Sequence, residues 1–350
     1  MGQAAGGRSM ESLMSSPPRV CVTGGGGFIA SWLVKLLLSR GYAVHATVRD
    51  PCDPKNAFLE QLDGAAENLR LFKADMLDYA TLTAAFAGCE GVFHAASPVP
   101  DGKLVDPEKE MMVPAIEGTR NVLKACSATN VQKLIQVSSV LAALFNPGWP
   151  QGKVRDESSW SDKEFCRENE IWYALAKTEA EEIALEYGKK SGLHVIRFCP
   201  GVVFGPLLQH TVLNTTSKVL VYILKGGPDT MNNKSWPIVD VRDVADAMLL
   251  LYNKAGSSER YLCSLDLVDM KHLLEILKSM YPNYNYADKM VDMDYRIEMT
   301  TDKIKNLGWK PRKLEETLAD SVESYKEAGF LQASEPCRLP FMFLVPAVQQ

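Results

Sequence analysis

Residues 19–39 read RVCVTGGGGFIASWLVKLLLS, and this stretch decides the architecture. Arg19-Val-Cys-Val-Thr23 is a short β-type run, Gly24 to Gly27 follow without a break, and from Phe28 onward apolar residues recur at helical spacing. The small residues of the turn stand as Gly24-x-x-Gly27-x-x-Ala30. Gly24 permits a tight strand-to-helix turn, Gly27 lets the backbone approach a pyrophosphate, and Ala30 lets the helix pack closely on a sheet. The unpaired N–H groups where the helix opens, at Phe28 and Ile29, then meet the phosphates with the positive end of the helix dipole. A strand before and a helix after distinguish this glycine cluster from a flexible loop and make it a dinucleotide-binding turn.

The same rhythm continues downstream. Residues 42–49 form a second strand. An acidic residue at the end of this strand marks sites that prefer NAD, because it binds the ribose 2′-hydroxyl. Here the strand ends in Arg49, 25 residues past Gly24, with Lys55 close behind. A planar guanidinium suits a 2′-phosphate, so NADP is the expected cofactor. Asp50 is the competing feature, readable as the ribose acid. A third strand, 69–76, closes in Asp75 and Met76, which suit the edge and face of an adenine. A fourth, 91–97, ends in Ala95, Ala96 and Ser97, small residues beside the expected diphosphate and ribose. A helix over 107–128 and a strand over 133–139 follow. Alternation of this kind predicts an α/β fold with a Rossmann-type, doubly wound parallel sheet.

Composition excludes more than it assigns. A chain of 350 residues suggests about two domains. Its 46% hydrophobic and 23% charged content exclude disordered, collagen-like and coiled-coil chains. The net charge of −5 gives no support for binding nucleic acid or an anionic membrane. The eight cysteines are too widely spaced for a metal cluster and read as reduced thiols; no metal is expected. The start, MGQAAGGRSMESLMSSPP, has no apolar signal segment, and Gly6 stands where a myristoylation pattern wants Ser or Thr. The apolar run at 339–348 is too short to span a bilayer. The matches to a glycosylation pattern at Asn214 and Asn233 carry no weight without secretion. The expectation is a cytoplasmic protein.

The chemistry is concentrated in residues 170–187, which read as a helix with Glu179, Glu182 and Glu186 outward and Ala176, Ala180, Ile183 and Ala184 inward. Tyr173 and Lys177 lie four residues apart and so share one face. An ammonium neighbour and an oxidised nicotinamide both favour the phenolate, which predicts a lowered tyrosine pKa. Tyr173 then protonates a carbonyl oxygen as hydride arrives. Ser139, at the end of a parallel strand where open sheets place ligands, is the candidate to hold that oxygen, with Ser138 as the alternative.

This combination resembles the short-chain dehydrogenase/reductase family, in its extended branch. Over most of residues 18–331 the chain is similar to the plant cinnamoyl-CoA reductase and dihydroflavonol reductase group. The similarity lies in VTGGGGFIASWLVK, TVRDPCDPKNAFL, KADMLDY, VFHAASPV, ESSWSDKEFCRENEIWYALAK and FGPLLQ. The resemblance implies catalytic roles for Ser139, Tyr173 and Lys177, with Lys177 also binding the nicotinamide ribose. It implies that Pro200 and Gly201 abut the nicotinamide carboxamide, and it adds Val203 to the cofactor-contacting set. The block Val239 to Ala245 resembles a strand-to-helix segment that bridges two domains. Two departures stand out. Cinnamoyl-CoA reductases carry Asn-Trp-Tyr-Cys-Tyr-Gly-Lys, whereas this chain has Ile171-Trp-Tyr173-Ala174-Leu175-Ala176-Lys177. The stretch Pro114-Ala-Ile-Glu117-Gly-Thr also offers no Asn to complete the tetrad of many short-chain enzymes.

The expected organisation is a tail (1–17), an NADP-binding domain (18–204, with a return segment 236–250), a smaller α+β substrate domain (205–235 and 251–331) and a C-terminal tail (332–350). Residues 206–225 read as a helical stretch, 267–280 and 313–328 as further helices. Val140, Leu144, Phe145, Gln209, His210 and Leu213 are candidate walls for a small-molecule substrate, an aromatic acyl-CoA, aldehyde or ketone. Cys199 reads as a buried thiol. The leading expectation is NADPH-dependent reduction of a hydroxycinnamoyl-CoA thioester to the aldehyde. The alternatives are an aldehyde or ketone reductase of dihydroflavonol or phenylacetaldehyde type, and a non-catalytic NADP-binding sensor or scaffold. Oligomeric state is not legible.

Overall fold

Parallel strands need crossovers, and here helices supply them on both faces of one sheet. The computed structural model describes residues 17–99, 102–226, 230–254, 259–292 and 297–332. Nearly all of the two expected tails, and the 339–348 run, lie outside the described residues. The strands β1 (Arg19–Thr23), β2 (Ala43–Val48), β3 (Leu69–Lys73), β4 (Gly91–His94), β5 (Lys133–Val137) and β6 (His194–Pro200) are joined by Arg260–Cys263 at one edge. Read across the sheet the order is Arg260–Cys263, β6, β5, β4, β1, β2, β3. Every pairing is parallel. The chain order reverses between β1 and β4, and ligands of doubly wound sheets sit at that reversal, beyond the carboxyl ends of the strands.

Successive residues of a strand face opposite sides of its sheet, and β1 shows the consequence. Val20 and Val22 join a core shared with α1 (Phe28–Ser39) and helix Val241–Lys254. Cys21 joins the opposite core, with Leu82, Phe86, Val122, Leu123 and Ala184 of the helices on the other face. Ala30 is buried, as the close packing of α1 requires.

Several boundaries differ from the expected ones for local reasons. The Tyr173 helix spans Trp172–Ser191. Glu170 has φ 56°, a left-handed turn that prevents an earlier start. Gly188 does not end the helix; it sits inside it, where a Cβ would come within 3.0 Å of Val195. The stop is Gly192, at φ 77°. Strand β5 ends at Val137, so Ser138 and Ser139 lie just past it. The 107–128 helix begins as a wider π turn, Glu108–Met112, before Val113–Ala128. Of the expected 206–225 stretch only Thr215–Leu224 is helical, capped by Asn214, whose side chain accepts from Ser217 N at 2.8 Å. The preceding residues are pinned instead, Pro206 O by Trp32 Nε1 at 2.8 Å and Leu207 N by Ser324 Oγ at 2.9 Å.

The later elements pair in small sheets: Val202–Phe204 with Ile238–Asp240, Ser235–Trp236 with Val268–Asp269, and Thr230–Asn233 with Lys289–Asp292. Their helices include Met270–Met280, Asp302–Asn306 and Leu314–Glu327. The core of α1 runs on without interruption through Val203, Leu220, Leu273 and Leu318. Asp243 anchors the junction, accepting from Arg312 N at 2.7 Å and pairing with the Arg312 guanidinium, while Trp309 Nε1 donates to Asp243 O. Among the described residues no helix is long and apolar enough to cross a membrane.

Gly201 joins β6 to Val202–Phe204, and a Cβ there would meet Pro237 O at 1.9 Å. Because that neighbour is backbone, Gly201→Ala is expected to cost about 2 kcal/mol or more. Urea denaturation checks this; an unchanged midpoint would contradict the packing argument.

Candidate active site

The glycine turn fits a phosphate-bearing dinucleotide. Gly24 adopts φ 71°, and a Cβ on it would lie 3.1 Å from Ala96 Cα, so the turn and the end of β4 are in close contact. Gly24 N donates to Thr47 Oγ1 at 3.1 Å. Gly27 begins α1 with no side-chain cap, and the first turn, from Phe28 and Ile29, has no acidic residue. Its N–H groups are therefore left for an anion. Phe28 turns its ring into the core, leaving its backbone to serve the site.

At the end of β2, Arg49 is exposed. Asp50 Oδ1 accepts from Cys52 N at 3.0 Å, which ties that carboxylate into its own turn. Lys55 pairs with Asp53 at 2.8 Å. Asn56, which sequence reasoning missed, is 3% exposed and donates to Asp50 O at 2.9 Å. Its Oδ1 would lie 2.2 Å from a Cβ on Gly26, so Asn56 packs the Arg49–Lys55 loop against the glycine turn.

A cavity opens beyond the ends of β4 and β5. Its lining includes Met76, Ala96, Ser97 and Lys177, all expected, together with His94, Thr119, Gln136 and Ser138. Ala95 is half-buried beside it. Met76 fits because Gly118 opposite it has no side chain; a Cβ there would be 2.7 Å from Met76 Cε. Asp75 is exposed, with Oδ1 accepting from Leu77 N. His94 shares a 2.9 Å hydrogen bond with Thr23 Oγ1, joining the ends of β4 and β1. Burial, reinforced by Lys177, pushes the His94 pKa down to about 3, so this imidazole is neutral. The only sequence trace of His94 was its place in the VFHAAS run.

Tyr173 and Lys177 meet as the helical spacing requires, with Lys177 Nζ 5.6 Å from the Tyr173 ring centroid. Lys177 is 7% exposed and donates to Val137 O at 3.0 Å. Burial drives its pKa down to about 8, against the pull of Glu181. The Tyr173 shift corrects the expected direction. Burial pushes the phenol up to about 12, and the Ser139 hydrogen bond offsets this only in part. Desolvation of the anion outweighs an ammonium already occupied by a carbonyl. The phenol is thus held in the acid form that carbonyl reduction needs.

The two serines separate clearly. Ser138 Oγ donates to the buried carboxylate of Glu181, whereas Ser139 Oγ accepts from Leu141 N at 3.2 Å and interacts with Tyr173. Cys199 is fully buried, and its pKa is raised to about 12, chiefly by desolvation. Pro200 is in β6, with its carbonyl accepting from Val140 N at 3.1 Å.

Other expected contacts are placed differently. The Val203 side chain is buried in the main core, and Thr216 Oγ1 donates to its carbonyl. Val140 is 1% exposed, packed with Ala143, Leu144 and Leu262, and backs the wall instead of facing the cleft. Phe145 is half-buried on the edge of that cluster. Gln209 and Leu213 are half-buried and His210 exposed, in the irregular segment before Thr215–Leu224.

A glycine-rich phosphate turn beside a Tyr–Lys pair defines a nicotinamide-dependent oxidoreductase of the short-chain dehydrogenase/reductase class. Comparison with known proteins agrees. The model of the NAD dependent epimerase/dehydratase family matches residues 20–264, and the chain belongs to that family. Cinnamoyl-CoA reductase 1 of Petunia hybrida is 43% identical over 325 residues, covering 91% of this chain and 96% of its own. The crystal structure of vestitone reductase from alfalfa is 32% identical with a TM-score of 0.77, covering 89% of this chain and 99% of that one. The Candida albicans Gre2 structure in complex with NADPH is 26% identical with a TM-score of 0.78, at 89% and 99% coverage.

The two shifted groups predict a pH profile. Loss of the Lys177 proton should make kcat/KM for reduction fall above pH about 8, while Tyr173, at about 12, stays protonated. Lys177→Arg, which does not titrate in this range, should remove that limb. A limb unmoved in Lys177→Arg would assign it elsewhere. The sign for stability is opposite. Above pH about 8 the unfolded chain binds a proton at this lysine that the folded chain does not, so Lys177 adds stability as pH rises towards 10.5.

Proposed function

We propose that this protein is an NADPH-dependent reductase of phenylpropanoid carbonyls, acting on a hydroxycinnamoyl-CoA thioester to release the cinnamaldehyde and free CoA. The observation that carries the reading is the Tyr173 phenol hydrogen-bonded to Ser139 and set one helical turn from Lys177, which lines the cavity. The bound cofactor supplies the hydride that reaches the thioester carbon. Ser139 and Tyr173 donate hydrogen bonds to the oxygen as negative charge develops on it. Lys177 holds positive charge beneath the phenol and has the reach to orient a ribose hydroxyl. When the tetrahedral oxyanion collapses, the carbon–sulfur bond breaks, the thiolate takes up a proton, and the aldehyde leaves. Arg49, with Lys55 on the same loop, holds the 2′-phosphate; the carboxylate of Asp50 accepts from Cys52 N within its own loop. The 43% identity to a cinnamoyl-CoA reductase over nearly its whole length supports the substrate class. We place the reaction in the cytosol and in lignin-type phenylpropanoid metabolism.

The departure at Ala174-Leu175-Ala176 does not weaken this reading. Those side chains are 0–1% exposed and pack against Met111, Met112 and Cys166, on the inner side of the helix. They fill a core and do not form a cleft wall. The similarity to vestitone reductase supports a second reading, reduction of a ketone or aldehyde. Tyr173 then protonates the alkoxide and nothing leaves.

Assays with NADPH and, separately, feruloyl-CoA, coniferaldehyde, phenylacetaldehyde and a dihydroflavonol decide between them. Thiol release with feruloyl-CoA is expected. Turnover of only the ketone or aldehydes would establish the second reading. In the same assay Arg49→Ala should raise the NADPH KM by about tenfold or more and leave NADH nearly unaffected. Equal losses with both would contradict the 2′-phosphate role.

A further inference from the structure

Tyr173, Lys177 and Glu181 stand one turn apart on the same helix. The first two belong to the site already described. Glu181 is 0% exposed and its carboxylate is filled from four directions. Arg260 Nε donates to it at 2.7 Å and Arg260 Nη2 at 3.3 Å. Ser138 Oγ donates at 2.5 Å and Cys199 Sγ at 3.4 Å. Ser138 precedes Ser139, and Cys199 precedes Pro200, so the carboxylate grips the residues next to both ends of the site.

Arg260 extends that grip. Its guanidinium also donates to Ala142 O at 3.1 Å and to Ser159 O, and it stacks on Trp160 at 4.1 Å. Ala142 lies on the short helix Leu141–Leu144 that Ser139 leads into. One buried ion pair thereby joins the Tyr173 helix, the ends of β5 and β6, the edge strand and the residues after Ser139.

The groups facing Lys177 are few. Tyr173 and Glu181 come from its own helix, His94 from β4 and Cys199 from β6; Arg260 pairs with the same carboxylate, and Arg197 feels its charge. Tyr173 and Cys199 are held protonated and His94 neutral. Glu181, ion-paired with Arg260, is the carboxylate among them.

We propose that Glu181 is a positioning residue for the reduction: through Ser138 and Arg260 it fixes the turn that carries Ser139, and it gives the Lys177 ammonium a buried counter-charge. The inference rests on the reductase reading above. Nothing in it requires Glu181 to touch substrate or cofactor.

The test is the pH dependence of kcat/KM, with kcat and KM resolved, using NADPH and whichever carbonyl the wild type reduces fastest. Glu181→Gln keeps the shape and removes the charge. It should move the alkaline limb down by roughly one pH unit. At neutral pH kcat should fall about tenfold, with the NADPH KM within about twofold of wild type. Ser138→Ala keeps every charge and should lower kcat severalfold without moving the limb. The paired variant Glu181→Gln with Arg260→Met removes both buried charges, which folds tolerate better than the loss of one partner. It should show the same downward shift, and it supplies the answer if Glu181→Gln does not fold. A purely structural role would lower the melting temperature and the active fraction but leave the limb and the kcat per folded enzyme at wild-type values. That result would overturn the proposal. A wild type that reduces none of the carbonyls would instead overturn the reductase reading, and this inference with it.

Discussion

A carboxylate taken out of water costs several kcal/mol unless its oxygens are filled. Glu181 satisfies this with Arg260, Ser138 and Cys199, and the partners come from the ends of β5 and β6 and from the edge strand. The arrangement of the site follows from that constraint. The Tyr173 helix lies at a fixed depth against β5 and β6, because its third inward polar residue has one place to go. Lys177, a turn earlier, then reaches Val137 O, and Tyr173, two turns earlier, comes level with Ser139. Backbone bonds continue the clamp past the strands, from Ser138 N to Phe198 O and from Val140 N to Pro200 O.

The same dryness sets the acid–base character. Burial moves a phenol up and an ammonium down, and both shifts appear together here. A tyrosine that is hard to ionise is a poor base, yet it is present wholly as the acid across the working pH range. The lysine is the group whose charge changes within reach of neutrality. Titration of the site is therefore assigned to Lys177, even though the hydrogen bond to the substrate oxygen comes from Tyr173.

Much of this was legible in the chain. The run from Arg19 to Ser39 carries strand, turn and helix in one stretch, and β1 was read to the residue. The four-residue spacing of Tyr173 and Lys177 depends only on helical geometry, so it survived an error of several residues at the helix ends. Those ends depended on backbone states that composition does not display, the left-handed Glu170 and the interior Gly188. With the chain's own groups alone the Tyr173 shift runs opposite to the expected one, because charge neighbours are visible in a sequence and burial is not. Asn56, His94 and Glu181 were missed for a related reason. Each acts through a contact across the sheet or the turn, and no local pattern announces such a contact. Val140 turned out to be packed in the core, because an apolar residue near a site reads alike whether it faces the cleft or the core behind it.

Carbonyl reduction at this site depends on the Tyr173 hydroxyl as donor to the substrate oxygen, and Tyr173→Phe measures that most directly. The substitution removes one oxygen from a half-buried ring and leaves Lys177, Ser139 and the glycine turn in place. NADPH affinity, followed by fluorescence, should stay within about twofold of wild type, while kcat for the carbonyl substrate falls by about 100-fold or more. A variant that binds NADPH normally and turns over at the wild-type rate would contradict the account.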